Sequence, residues 1–193
     1  MKTIQLAGEK RADLGKKATK ALRVEERVPC VLYGGKENVH FSATERDLRK
    51  LIYTPEVYIV DLTINNITTK AIIQDMQFHP VTDKALHIDF LELEENKPVA
   101  IEIPVKLNGL AEGVKAGGKL SLEMRKLRVK GLYSQFPECI EINIEKLGLG
   151  KAIQVGQVQV GDLELLNAKN AVVAQVKLTR AARGAAAAAA KES

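Results

Sequence analysis

The amino-terminal ninety residues alternate between two hydrophobic periods, two and about 3.6, which predicts short strands broken by helices. Ile4 and Leu6 lie on one face of a strand over residues 3–9, and a polar loop through Asp13 and Gly15 follows. From Lys16 to Val28 the period becomes helical, with Ala18, Ala21, Leu22 and Val24 as a packing side and Pro29 as the stop. Cys30–Tyr33 and Val39–Ser42 read as strands joined through Gly34-Gly35. Thr44-Glu45-Arg46-Asp47 resembles a capping box, and Leu48, Leu51 and Ile52 give the stripe of a short helix. Residues 57–77 form a long hairpin around Asn65-Asn66. Leu86-His87-Ile88-Asp89-Phe90 alternates strictly, which puts His87 and Asp89 together on the accessible face of a strand.

The pattern breaks at Leu93–Pro98 and resumes as strands, so the expected organisation is a domain over 1–93, a second over 98–180 and a low-complexity tail over 181–193. The second part carries alternating faces at Val99, Ile101, Ile103, Val105 and Leu107, at Leu120, Leu122 and Met124, at Ile140, Ile142 and Ile144, and at Val172, Ala174, Val176 and Leu178. This predicts an antiparallel roll or barrel, with Pro104 on an edge. The fold class expected for the whole chain is mainly β with a few α-helices.

Charge changes the picture once it is located. The 193 residues carry +5 overall. Residues 1–36 alone set nine cations against four acids, so the remainder sums to zero. A neutral body with one cationic end points to a polyanion, and to nucleic acid before membrane because no broad apolar face accompanies the charges. Lys16, Lys20, Arg23 and Arg27 are spaced to line one helix face, with Lys10, Arg11 and Lys17 beside them. Tyr33-Gly34-Gly35-Lys36 sets a ring, two small residues and a cation where a sugar-phosphate chain can come close. Aromatic residues are only 4% of the chain, with no Trp, which argues against a stacking sheet for splayed single strands and for recognition of a folded RNA helix by shape and groove contacts.

Other chemistry is weaker. His79, His87 and Asp89 have ligand-type side chains but match no standard metal or acid–base spacing. Gly113–Leu120 misses a phosphate-binding loop by one residue, Leu120 standing where a Ser or Thr holds magnesium, and a strand pattern follows instead of a helix. A metal- or nucleotide-dependent enzyme is therefore the alternative reading, and no cofactor is expected. Arg125, Lys126, Arg128 and Lys130 form a second basic cluster, either a solvated face or an auxiliary RNA contact. Cys30 and Cys139 form no C-x-x-C pair and are expected as buried, inert thiols. No secretory signal or membrane-length apolar run is present, so the expected location is cytoplasmic.

Several segments, in order, resemble the bacterial ribosomal protein L-twenty-five family: Arg11, Gly15-Lys16, Leu22-Arg23, Val28-Pro29, Val31–Gly35, Gln74-Asp75, His79-Pro80 and His87–Phe90. Gly113-Val114-Lys115 through Gly117-Gly118, with Phe136-Pro137-Glu138, is similar to its longer general stress protein (Ctc) form. The resemblance implies an amino-terminal β-barrel with helices, a β-rich second domain, and a non-enzymatic part of the large ribosomal subunit. It implies 5S ribosomal RNA as partner, bound at an internal loop with non-standard pairs, and neighbouring ribosomal proteins as further contacts. A conditional, stress-responsive association with the ribosome is a variant of that reading. The RNA-binding set expected from residues and resemblance together is Lys10, Arg11, Lys16, Lys17, Lys20, Arg23, Tyr33, Lys36, Gln74, His87 and Asp89.

Overall fold

The structure, a computed structural model, describes residues 1–35, 37–161 and 163–179. Lys36 and the alanine-rich tail over 181–193 lie outside the described residues. In chain order the elements are β1 (Lys2–Lys10), α1 (Lys16–Val24), β2 (Arg27–Tyr33), β3 (Val39–Thr44), α2 (Glu45–Ile52), β4 (Tyr58–Ile64), β5 (Ile67–Phe78) and β6 (Ala85–Glu92). They continue with β7 (Val99–Asn108), α3 (Glu112–Lys115), β8 (Lys119–Leu122), β9 (Lys126–Gly131), β10 (Ile140–Asn143), β11 (Ala152–Gln154), β12 (Glu164–Leu165) and β13 (Val172–Lys177). The chain divides into two compact units, one of Met1–Val99 with Leu132–Glu138, the other of Ala100–Gly131 with the chain from Cys139 on. It is mainly β, as expected.

In the first unit the strands close into a barrel of order β1-β3-β2-β6-β5-β4. Closure removes the sheet edges. It rests on two parallel pairings, Lys2–Gly8 against Tyr58–Ile64 and Cys30–Tyr33 against Ile88–Leu91, which local alternation cannot specify. The inward residues Leu6, Val28, Cys30, Leu32, Phe41, Val60, Leu62, Ile88 and Phe90 make one core, with the Phe41 and Phe90 rings tilted against each other at 5.5 Å. The Asn65-Asn66 turn has both residues at positive φ, 49° and 65°, as a tight hairpin requires.

Three expectations from the sequence fail in this unit. The first helix ends at Val24, four residues before Val28, because Glu26 turns left-handed at φ 57° and the chain enters β2 at Arg27. Arg27 therefore leaves the helical stripe and pairs with Glu9 at 2.7 Å. Of the packing side, Ala21 and Val24 are exposed, Val24 by 78%. Pro29 does not stop the helix but lies buried within β2, opposite Ser42. Its missing N–H costs no ladder bond to β6, since that parallel pairing starts only at Cys30.

The second unit is neither a roll nor a barrel but two sheets, of order β10-β7-β9-β12 and β11-β13-β8. Its β7–β10 pair is parallel. Pro104 sits in the inner strand β7 rather than on an edge, and uses the same device as Pro29, one residue ahead of the Val105–Ile140 register where the parallel partner joins. In β13, Val173, Ala174 and Val176 are buried while Leu178, expected inside, is 45% exposed. Cys139 is only half-buried, its Sγ facing Glu141. Cys30 is buried as expected, and that burial pushes its thiol up to about 12.

Candidate nucleic-acid interface

The interface is built from α1 and the outer wall of the barrel beside it. Helix α1 has no buried residue, no side-chain N-cap and no acid in its first turn. Little apolar burial holds it. Two guanidinium groups do so instead. Arg11 Nη2 donates to Asp13 O at 3.0 Å and to Thr19 Oγ1 at 3.3 Å, clamping the entry of the helix. Arg23 donates through Nε and Nη2 to the Leu86 carbonyl at 3.2 and 2.9 Å, fixing its end to the start of β6. These two arginines, expected as RNA contacts, are engaged within the protein. Lys16, Lys17 and Lys20 are exposed and, among the described residues, have no side-chain hydrogen bond or ion pair. Lys16 and Lys17 stand at the positive end of the helix dipole, where cations are unfavourable unless an anion joins them.

Arg23 brings α1 against Leu86, and the next residue is His87. His87 Nδ1 lies 2.7 Å from Asp89 Oδ1, both side chains 30% exposed, on the outward face the alternation predicts. Strand register puts Asp89 beside Val31 on β2 and Asp75 on β5, while Val31 faces His40 on β3, so His40, Val31, Asp89 and Asp75 form a row across four strands. Tyr33 stands next to this row. Burial raises its hydroxyl above the ordinary tyrosine range, and the nearby Asp89 and Asp75 carboxylates add to that.

Gln74 falls in a bulge where the β5–β6 register shifts between Ile73 and Asp75, and it is exposed. Bulges re-aim side chains, and this one sends Gln74 out beside Asp75. Two carboxylates directly opposite each other, Asp75 and Asp89, repel. Such a pair is useful where it accepts hydrogen bonds from a ligand's amino or hydroxyl groups. The structure thus brings Lys16, Lys17, Lys20, Arg11 and Arg23 together on and under α1, and Tyr33, Gln74, His87 and Asp89 on the wall. Lys10 is exposed near the end of β1.

His40, and Asp75 apart from its place in the Gln74-Asp75 segment, stand in this row without being in the expected RNA-binding set. Each had a signal: Asp75 follows a break in the alternation of its strand, and His40 stands between the apolar Val39 and Phe41. Tyr33-Gly34-Gly35 has a partly internal explanation. Gly34 takes φ 100°, and a Cβ there would meet Leu91 Cδ1 at 2.7 Å.

The alternative chemistry loses its groups. His79 Nδ1 accepts from the Val81 and Thr82 amides at 3.3 and 3.2 Å, which closes a turn. Among the described residues no three His, Cys, Asp or Glu side chains stand together to hold a metal ion. Gly113 and Gly118 are small because backbone crosses them, Gly148 C at 2.6 Å and Gly113 O at 2.6 Å from where each Cβ would stand. On β9, Lys126, Arg128 and Lys130 point outward between the buried Leu127 and Val129, and Lys130 reaches Glu164 at 4.0 Å.

Residues 6–90 match the family model described as the ribosomal L25p family, and residues 98–180 match the carboxy-terminal domain of ribosomal protein TL5. A protein of Azobacteroides pseudotrichonymphae named large ribosomal subunit protein bL25 is 61% identical, covering 95% of this chain and 97% of its own. The chain belongs to the bL25 family. Other bL25 proteins, from Porphyromonas gingivalis and Phocaeicola vulgatus, are 59% and 54% identical over 96% and 99% of this chain, and 98% and 100% of theirs. The bL25 proteins are ribosomal proteins, not enzymes, and the two matched regions meet in the interval 91–97. No helix among the described residues is long and apolar enough to cross a membrane.

Proposed function

We propose that this chain is a structural constituent of the large ribosomal subunit that holds 5S ribosomal RNA through its amino-terminal domain, residues 1–93, and works in the cytoplasm with the ribosome. The observation that carries this reading is α1: a helix docked by Arg11 and Arg23 that presents Lys16, Lys17 and Lys20 without partners. The lysines meet phosphates, and Arg11 and Arg23 act as positioning residues that hold them in register. The wall beside α1 supplies what a backbone contact lacks. Asp89 and Asp75 accept from base amino groups or 2′-hydroxyls, His87 and Gln74 add donors and acceptors, and Tyr33 offers an edge of the ring. A row of mixed polarity on a rigid barrel suits the opened minor groove of an internal loop with non-standard pairs.

The test is filter binding of the full chain to 5S rRNA and to an unrelated RNA duplex of equal length, at several salt concentrations. The expected result is a clear preference for 5S rRNA that Asp89→Asn and His87→Ala diminish. Equal affinity for the two RNAs would contradict the reading.

A further inference from the structure

Helix α2 ends with Arg49 and Lys50 in its last turn, and Tyr53 closes it. The three side chains line an open concavity of about 400 Å³, within the size range of small-ligand sites. Cations at a helix carboxy terminus are ordinarily explained by the dipole, and that accounts for Arg49 and Lys50. It does not account for Tyr53. This residue is 56% exposed, yet its hydroxyl donates to the Asp83 carbonyl at 3.3 Å. Asp83 belongs to a turn closed by its own bonds, from His79 N to Lys84 O at 2.8 Å and from Asp83 N to His79 O at 3.0 Å. The ring is therefore tethered at its tip while its body lies open, so its orientation is set before anything binds. Among the described residues neither cation has a side-chain partner, and the lining of the concavity, Arg49, Lys50 and Tyr53, includes no acid.

We infer that Arg49, Lys50 and Tyr53 form a pocket for one unpaired nucleotide of an RNA strand, the base stacked on the Tyr53 ring and the phosphate held by the two cations. An acidic peptide would satisfy the charges but offers no plane to the ring, whereas a nucleotide supplies both. This inference stands apart from the α1 reading, since it uses another helix and a single-stranded ligand rather than a folded one.

Titration of the full chain with a single-stranded uridine hexamer tests it, read by tyrosine emission because the chain has no Trp and four Tyr. Tyr53→Ala should weaken the hexamer roughly tenfold, the usual scale of one lost base–aromatic stack. Tyr53→Phe, which keeps the ring and drops the tether, should weaken it less. The double variant R49Q/K50Q should weaken it and flatten its salt dependence. These last two decide the matter if Tyr53→Ala fails to fold. Unchanged affinity in Tyr53→Phe and R49Q/K50Q would overturn the inference, as would a hexaglutamate peptide competing as well as the hexamer. Loss of hexamer binding in K16Q/K17Q/K20Q with none in R49Q/K50Q would overturn it too, by moving the strand to α1.

Discussion

Helices α1 and α2 are nearly equal in length, nine and eight residues, and are built by opposite rules. In α2 every local choice agrees with the fold. Thr44 caps it by accepting from Asp47 N, Glu45 and Asp47 face the positive end of the dipole, Arg49 and Lys50 face the negative end, and Leu48, Leu51 and Ile52 are buried. In α1 the first turn carries lysines and no acid, the cap Gly15 has no side chain to offer, and nothing is buried. Local rules are broken where function asks for something else. α2 is part of the barrel's core, while α1 is a surface device held in place by two arginines so that its cations stay free.

The contrast can be broken first at the core. Leu48→Ala, at a fully buried site, should cost about 2–5 kcal/mol in chemical denaturation, whereas Leu22→Ala, at a half-buried site in α1, should cost well under half as much. Equal losses would mean that α1 is anchored by packing after all. Next, K16Q/K17Q/K20Q should lower the log-log salt slope of 5S rRNA binding by roughly 2 to 3, with no loss of thermal stability. A Tm that falls with these lysines would make them structural.

Arg23→Gln should weaken RNA binding by loosening α1 while costing global stability only on the order of 1 kcal/mol, the scale of an ordinary hydrogen bond. Denaturation and binding measured on the same preparation separate the two effects. Smallest of all, Thr44→Ala should remove about 1 kcal/mol from α2 and leave RNA binding unchanged.

The same contrast explains what is legible in the sequence. Helix α2 is readable from Thr44 through Ile52 because cap, dipole and stripe agree there. So is β6, whose strict alternation is enough to set His87 and Asp89 on one face. The end of α1 is not readable, since nothing local announces that Glu26 adopts positive φ, and Pro29 offers a plausible stop four residues too late. Pro29 and Pro104 mislead for one reason: a strand tolerates proline just before its parallel partner joins, and parallel pairing is a long-range fact. For the site, composition locates the cations but cannot tell Lys20, which is free, from Arg23, which is bound to Leu86 O. That distinction depends on a carbonyl sixty-three residues away.

Amide hydrogen exchange across α1 and α2, in the free chain and with 5S rRNA added, measures the central claim most directly. The amides of Lys20–Val24 should exchange much faster than those of Leu48–Ile52 in the free chain and become protected when the RNA binds, α2 remaining slow throughout. If α1 is already as protected as α2, or stays fast with the RNA bound, the helix is not the docking element.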